Sequence, residues 1–394
     1  MDIIITGLSP WYFEIGSNCK SIALELSRHH RVLYVNMPLD RRTIRHESSN
    51  PDIRRHIGIV RHKQENLLRI GPNLWNYYPY HILESANWLP STSLFKIFCR
   101  INSRRFAADI HRAAQRLEFK DYVFFNDNDI FRSFYIREFL RPKVYIYYSR
   151  DNLLGVPYWK KHGQKIEPLH IAKADIAVAN SIYLANYLRQ HNPNSHYIGQ
   201  GCNITLFDPT IPRPVPPDMT TIRGPIIGYV GAILSLRIDI AILLHIAKTC
   251  PEWNIVLVGP EDDFFKASPL HDMPNVHFLG RKDINDLPAY VARFDVCINP
   301  QLINAVTVGN YPLKVDEYLA MGKPVVATRT ETMQIFENCV YLAEKPEDYP
   351  GFIKAALSEN DPSFTEKRIK LARTHTWTAC VDTLYSLIAK KLKN

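Results

Sequence analysis

The sequence predicts an α/β fold with two parallel β-sheets, and three observations lead to this prediction. Short apolar runs alternate with helical patterns along the whole chain, which is typical of strand–helix–strand units. A proline-rich segment at residues 209–217 separates two such series. With 394 residues, 46% of them hydrophobic, the chain is long enough to bury two cores.

The predicted strands are apolar throughout, which indicates burial on both faces. In the first series they are residues 2–6, 32–35, 68–70, 122–125, 144–148 and 176–179. In the second series they are residues 226–230, 255–258, 276–278, 296–298 and 324–327.

These series define three segments. We expect an N-terminal domain over residues 1–208, a second domain over residues 209–375, and a helix over residues 376–394. The helix is predicted from apolar residues at helical spacing, namely Trp377, Val381, Leu384 and Leu387.

Cysteine usage and hydropathy predict a cytoplasmic protein. The seven cysteines are scattered, odd in number and contain no C-x-x-C pair, which indicates reduced thiols and no structural zinc. The apolar run at residues 2–6 lacks a basic leader, so a strand explains it better than a signal peptide. No stretch reaches the roughly 18 apolar residues that a membrane span needs.

Positive charge is concentrated in the first half of the chain. Residues 1–200 carry a net charge of +11, whereas residues 201–394 carry −2. Residues 41–63 and 88–116 hold much of the excess, and the second segment resembles a basic amphipathic helix. This pattern predicts peripheral binding to an anionic membrane, on the cytoplasmic face of the inner membrane. The alternative is a core-facing helix with a solvated arginine face. Nucleic acid is not expected, because no nucleic-acid-binding motif accompanies the charge.

The segment at residues 310–328, NYPLKVDEYLAMGKPVVAT, carries the strongest functional signal. Pro312 suits a first helical position, Gly322 suits a helix end, and an apolar strand follows. Lys314 in the first turn can hold a diphosphate beside the free backbone N–H groups. Glu317 lies on the same face, where ribose hydroxyls can donate to its carboxylate. The alternative is a solvent-exposed Lys–Glu pair.

This segment resembles the donor-binding signature of GT-B glycosyltransferases, particularly glycosyltransferase family 4, with the pattern PLK-x-x-EYLA-x-GKPVV. The resemblance implies two Rossmann-like domains that face each other across a cleft, with the C-terminal helix crossing back to the first domain. It also implies a UDP- or GDP-sugar donor, a glycan or lipid-linked acceptor in cell-surface polysaccharide synthesis, and no metal cofactor. By the match, Lys314 binds the diphosphate, Glu317 binds the ribose, and Leu313 belongs to the same donor site.

One departure from the family pattern affects the reaction stereochemistry. Many members carry a second glutamate eight positions before the first, near the donor sugar, where this chain has Gly309. The resemblance favours retention of the anomeric configuration, but with Gly309 in that position inversion stays open.

Two further loops of the second domain resemble the family. Gly231, at the end of the first strand, matches a glycine that lets the backbone approach the donor. Arg237 follows as a second cation for the phosphate, so that Arg237 and Lys314 together replace a metal. Arg281 follows the strand at 276–278, where family members hold the nucleobase.

The first domain offers weaker signals. Gly16 and Ser17 form a small-residue loop before a helix, which suits a phosphate or an acceptor, or simply caps the helix. Asp151 follows a buried strand and is the candidate catalytic residue, as a general base if the enzyme inverts and as a sugar-orienting group if it retains. A structural turn aspartate is the alternative. The pair Asp127 and Asp129 fits a D-x-D metal motif, but a capped turn is the preferred interpretation.

Two other functions remain open at this point. A nucleotide-sugar 2-epimerase of the same fold would bind the same donor and consume no acceptor. A non-catalytic protein would bind a nucleotide or a polyanion without turnover. The sequence leaves the base, the sugar, the acceptor and the linkage unspecified.

Overall fold

The computed structural model describes residues 1–12, 17–61 and 64–393 of the chain. It divides into two compact units, one formed by residues 1–199 together with 380–394 and the other by residues 200–379. The proline-rich segment at residues 209–217 lies inside the second unit.

The first unit contains an eight-stranded sheet and its helices. In chain order the elements are β1 (Asp2–Gly7), α1 (Asn18–Ser27), β2 (Arg31–Val35), α2 (Arg41–His46), α3 (Pro51–Val60), β3 (Leu67–Gly71), β4 (Leu74–Tyr77), α4 (Thr92–Arg116), β5 (Val123–Asp127), α5 (Ile136–Leu140), β6 (Val144–Ser149), α6 (Pro157–Lys173), β7 (Ile176–Ala179), α7 (Ile182–Arg189) and β8 (Ser195–Tyr197).

The second unit contains a six-stranded sheet. Its elements are β9 (Ile226–Val230), α8 (Ile240–Thr249), β10 (Asn254–Val258), α9 (Asp263–Lys266), β11 (Val276–Gly280), α10 (Leu287–Arg293), β12 (Val296–Asn299), α11 (Leu313–Ala320), β13 (Val325–Thr328), β14 (Tyr341–Ala343), α12 (Asp348–Leu357) and α13 (Pro362–Ala372). The last helix, α14 (Trp377–Lys393), begins in this unit and continues into the first.

Both sheets have the doubly wound order that the alternating pattern predicts. The first has the order β3-β4-β2-β1-β5-β6-β7-β8, and the second has the order β11-β10-β9-β12-β13-β14. All strand pairs are parallel except β3 with β4, which form an antiparallel hairpin at the sheet edge. Every predicted strand is present. Three short strands were not predicted, namely β4, β8 and β14, because each has too few apolar residues to stand out from the sequence around it.

The central strands bury both faces, which explains their uninterrupted apolar sequence. In the second unit, alternate residues of β12 pack into two different clusters: Cys297 joins the helix α11 side, and Ile298 joins the helix α8 side. In the first unit, all six residues of β6 are buried. The carboxyl ends of these strands are therefore the edge at which polar side chains can be held without opening the core.

The terminal helix supplies apolar side chains to the first unit. Cys380, Val381, Leu384 and Ile388 of α14 are buried. The ring of Tyr385 contacts that of His30 edge-on, with 5.2 Å between their centres. The prediction that the terminal helix packs on the first domain is confirmed for residues 380–393. Among the described residues, no helix combines the length and apolarity needed to cross a bilayer.

The close approach of α10 to β9 depends on Gly228. A methyl group at this position would lie 2.1 Å from ring atoms of the buried Phe294. We expect Gly228→Ala to lower the free energy of unfolding by about 1–3 kcal/mol, because neither strand nor ring can move without disturbing the core. Gly351→Ala is the matched control, since a methyl group there meets no atom within 4 Å and the site is helical. The control should be neutral or stabilising. Equal unfolding midpoints for the two variants would contradict the prediction.

Candidate functional site

A cavity of about 520 Å³ lies at the carboxyl ends of β9 and β12, beside the first turn of α11. Open α/β sheets hold ligands at this edge. The cavity wall contains five of the residues predicted to bind a donor, namely Gly231, Arg237, Leu313, Lys314 and Glu317. The fold thus brings together residues that are up to 86 positions apart in the sequence. Their binding roles stay predictions.

Helix α11 is fixed to strand β9 by one tyrosine. Tyr318 is fully buried, and its hydroxyl accepts a hydrogen bond from the backbone N–H of Val230 at 2.8 Å. At the other end of the helix, Gly322 has a φ of +71°. The N–H of Lys323 donates to the carbonyl of Tyr318 at 3.0 Å, which completes a Schellman motif. The helix therefore ends where the sequence predicts.

The first turn of α11 borders the cavity, and its Leu313 and Val315 N–H groups donate to the carbonyls of Tyr311 and Pro312. The helix begins at Leu313, one residue later than predicted, and Pro312 occupies the N-cap position. Pro312 makes no side-chain capping hydrogen bond, so the first-turn N–H groups have no side-chain acceptor at the cap. Such a helix start favours an anion.

Lys314 extends from this turn over the loop that follows β9. Its Nζ lies 4.8 Å from the centre of the Tyr229 ring, which is a cation–π distance. A Cβ atom at Gly231 would approach the Lys314 Cε to 3.0 Å. Glycine at this position therefore leaves room for the lysine chain, and the ammonium group lies beside the uncapped helix start.

Glu317 lines the same cavity one turn further along the helix. Burial raises its pKa to about 8, because the loss of hydration outweighs the attraction of Lys314, and the neighbouring Asp316 raises it further. The environment of Glu317 therefore favours the protonated form of its carboxyl group. Two hydroxyl donors at this position would favour the carboxylate and release the proton.

Asp316 belongs to a buried network that the sequence did not reveal. Its two carboxylate oxygens accept hydrogen bonds at 2.7 Å from the Tyr311 hydroxyl and from His375 Nδ1. Burial raises the pKa of Asp316, and the contact with His375 opposes that shift. His375 is 59 residues away in the chain, so no local pattern could have identified the pair. The network fixes the start of α11 from the side opposite to the cavity lysine.

The sequence analysis also assigned no role to two asparagines of the cavity wall. Asn299, at the end of β12, and Asn310 both line the cavity. Asn299 is 4% exposed, yet its Nδ2 has no hydrogen-bond partner, and the buried Oδ1 of Asn310 has none either. A buried polar atom without a partner costs about 1–3 kcal/mol. Two residues of the cavity wall thus carry a buried donor and a buried acceptor that have no partner among the described residues.

The predicted arginines of the second unit lie in different places. Arg237 is exposed and lines the cavity. Arg281 lies just after β11, where it is exposed and is not one of the lining residues. Its neighbour Lys282 pairs with Asp218 at 2.7 Å. A nucleobase role for Arg281 therefore has no geometric support from the cavity itself.

In the first unit, Asp151 is part of an ion-pair network at the carboxyl edge of the sheet. Arg150 donates to Asp151 and to the fully buried Asp127, both at 2.8 Å. It also donates to Ser9 Oγ at 3.2 Å. The side chain of Asp151 remains about one third exposed, with one oxygen occupied by Arg150. Its catalytic role stays a prediction.

The D-x-D pair does not converge on one point. Asp127 accepts from Arg150, whereas Asp129 accepts from the Ser133 hydroxyl at 3.2 Å and from the Arg132 backbone. The capped-turn interpretation therefore describes Asp129. Within residues 1–12, 17–61 and 64–393, no group of three or more His, Cys, Asp and Glu side chains is arranged to hold a metal ion.

The loop before α1 is described only in part. Ser17 is the N-cap of α1, and its hydroxyl accepts from the N–H of Lys20 at 3.3 Å. This is the capping role that the sequence left open. Gly16 lies outside the described residues.

Comparison with known proteins shows which family the second unit resembles. Residues 224–358, which include the whole cavity wall, match the family model described as glycosyl transferases group 1. The match does not extend to the first unit. A relative named as the teichuronic acid biosynthesis glycosyltransferase TuaH of Bacillus subtilis (strain 168) is 28% identical over 240 residues. That alignment covers 58% of this chain and 60% of the relative, so it spans less than two thirds of the relative's length.

Solved structures identify the fold as GT-B. Sucrose-phosphate synthase from Thermosynechococcus elongatus superposes with a TM-score of 0.65 at 16% identity, over 99% of both chains. Anabaena HepE in complex with UDP superposes with a TM-score of 0.67 at 14% identity, over 99% of this chain and all of its own. At these identities the likeness establishes the fold alone.

The raised pKa of Glu317 predicts a pH-dependent stability difference. A carboxyl whose pKa is higher in the folded state contributes stability that is lost as pH rises from about 4.5 to about 8. Glu317→Gln keeps the shape of the protonated form and cannot ionise. We expect the free energy of unfolding of this variant, relative to that of the wild type, to rise between about pH 5 and pH 8. The rise should be at least about 1.4 kcal/mol, the equivalent of one pKa unit.

The measurement is the difference in unfolding midpoint between variant and wild type along this pH series. Glu366→Gln is the control, because Glu366 is an exposed residue of α13. Its difference from the wild type should not change with pH. A constant difference for Glu317→Gln as well would mean that Glu317 ionises with an ordinary pKa.

Proposed function

We propose that this protein transfers a sugar from a UDP- or GDP-activated donor to a glycan or lipid-linked acceptor in cell-surface polysaccharide synthesis. The observation that carries the proposal is the cavity of the second unit, in which Lys314, Arg237 and Glu317 surround the glycine loop at Gly231. The named function of the TuaH relative and the UDP and UDP-glucose bound to HepE support the same substrate class.

The proposed roles follow from charge and geometry. The diphosphate lies at the start of α11, where backbone donors, Lys314 and Arg237 offset its charge. The ribose hydroxyls donate to Glu317, which becomes a carboxylate as the nucleotide binds. During transfer, the bond from the anomeric carbon to the diphosphate oxygen breaks and a bond to the acceptor oxygen forms. The two cations then stabilise the negative charge that develops on the leaving nucleotide.

The role of the first unit is also a proposal. We assign it to the acceptor, with Asp151 as general base if the reaction inverts and as an orienting group if it retains. Family resemblance favours retention. The ion pair with Arg150 fixes the Asp151 carboxylate and leaves its other oxygen for a substrate hydroxyl, which suits an orienting role. A cytoplasmic location and peripheral contact with an anionic membrane are part of the proposal, supported by the charge of +11 in residues 1–200.

The donor site can be tested by nucleotide binding. Thermal shifts with UDP, GDP, ADP and their sugars identify the nucleotide, since ligand at about 100 times its Kd stabilises the folded state by roughly 2.7 kcal/mol. Calorimetry with the selected nucleotide should then show that Glu317→Ala weakens binding by about 1–3 kcal/mol, the value of a charge-assisted hydrogen-bond partner. Glu366→Ala, on exposed α13, should bind as the wild type does. An unchanged affinity in Glu317→Ala would remove this residue from the ribose role.

The two cavity asparagines provide a separate test of sugar recognition. Asn299 offers a donor and Asn310 an acceptor, and a sugar hydroxyl can serve both. We expect Asn299→Ala and Asn310→Ala each to weaken binding of the nucleotide sugar by about 1–3 kcal/mol while binding of the free nucleoside diphosphate changes little. Parallel titrations with both ligands separate these effects. An equal loss for both ligands would place the two amides on the nucleotide, and no loss for either would remove them from the site.

A further inference from the structure

The first unit exposes a row of large apolar side chains that the fold does not use. Leu94, Ile97 and Ile101 of α4 are spaced three and four residues apart, so they lie on one face of the helix. All three are exposed, Ile97 to 56% of its surface, and Trp88 just before the helix is 73% exposed. Phe98, next to Ile97 and three residues before Ile101 on the same helix, lines a surface cavity together with Trp88.

The exposed face is separate from the face that packs into the core. Phe95, Cys99, Phe106 and Ile110 of α4 are buried. Helix α4 is therefore apolar on two sides, and burial of its core side already explains why it folds. Exposed apolar patches of this kind mark interaction sites.

Unpaired cations border the apolar face. Arg42 and Arg45 of α2 line a cavity of about 440 Å³ together with Trp88, Leu89 and Phe98. The charge of Arg41 is offset by Glu84 at 2.7 Å. Within the described residues, Arg42 and Arg45 form no ion pair. The surface formed by Arg42, Arg45, Trp88, Leu94, Ile97 and Ile101 is called the docking surface below.

Its chemistry matches an anionic lipid bilayer. Trp88 donates its ring N–H to the carbonyl of Ser85 at 2.9 Å, so its polar atom is satisfied within the protein and the ring can enter an apolar phase without losing a hydrogen bond. Aliphatic side chains inserted at the headgroup boundary, with arginines beside lipid phosphates, are the usual means by which an interfacial helix binds.

We propose that the docking surface binds an anionic bilayer, with Trp88, Ile97 and Ile101 inserted and Arg42 and Arg45 on the lipid phosphates. The proposal rests on the proposed function, because a lipid-linked acceptor is presented at a bilayer. It adds the location of the contact, which the charge distribution alone does not give. Residues 62–63 and the other basic residues of the N-terminal half are not required for it.

The experiment is flotation of the full chain with vesicles of phosphatidylcholine alone or with about one third phosphatidylglycerol. The wild type should float with the anionic vesicles at about 50 mM salt, and its binding should fall steeply by about 500 mM. Neutral vesicles should bind it weakly. Arg42→Gln with Arg45→Gln, and separately Ile97→Ser with Ile101→Ser, should each weaken anionic-vesicle binding by about 10- to 30-fold. Brominated lipids should quench Trp88 fluorescence, with Trp88→Phe as the reference.

Matched controls keep charge and hydropathy equal. Arg223→Gln with Arg293→Gln removes the same charge from exposed positions of the second unit, and Leu24→Ser with Ile284→Ser removes two exposed apolar side chains outside the docking surface. Both controls should bind as the wild type does. Equal losses in the controls would reduce the effect to net charge or general hydropathy and overturn the proposal.

Nucleotide binding separates this proposal from the proposed function. Each variant should bind the donor nucleotide with wild-type affinity in calorimetry, which also shows that it is folded. Normal nucleotide binding without vesicle binding by the wild type would overturn the docking surface and leave the transferase proposal intact. Vesicle binding without nucleotide binding would support the docking surface and count against the transferase proposal. Docking-surface variants that float like the wild type would overturn the proposal, and the exposed apolar face would then be a candidate site for a protein partner.

Discussion

The hydrogen bond between the Tyr318 hydroxyl and the Val230 N–H is the contact on which the candidate site depends. It joins two elements of the cavity wall: the strand end that carries Gly231 and the helix that carries Lys314 and Glu317. The bond is buried, so breaking it would leave an unsatisfied N–H as well as a displaced helix. The Asp316 network on the other side of α11 limits rotation of the same helix.

The charged groups of the cavity determine which ligands it can bind. Lys314 and Arg237 line the cavity, while burial raises the pKa of the Glu317 carboxyl group and favours its protonated form. An anionic ligand therefore meets little repulsion on entry. Once hydroxyl donors reach Glu317, the carboxylate form becomes favourable and contributes a charge-assisted hydrogen bond. Burial thus lets a single residue coexist with a diphosphate and still recognise a sugar hydroxyl.

Much of the fold was predictable because parallel strands and amphipathic helices have strong local signals. The alternating pattern identified eleven strands, and the resemblance at residues 310–328 identified the helix that carries Lys314 and Glu317. The short strands β4, β8 and β14 were missed, since each has too few apolar residues to stand out from the sequence around it. Within the site, the sequence identified residues with a motif around them. It missed Asn299, Asn310 and His375, whose importance comes from burial and from distant neighbours.

The sequence by itself determined the fold class, the family resemblance and the basic character of the first half, because these follow from composition, periodicity and a contiguous motif. Only the tertiary structure decided which of the candidate residues share a cavity, that Arg281 lies outside its wall, and that Asp151 is paired with Arg150. It also decided which apolar residues of α4 face the core and which face solvent. The physical reason is the same in each case: hydrogen-bond partners, burial and pKa depend on side chains brought together from distant parts of the chain, and a linear pattern carries no record of them.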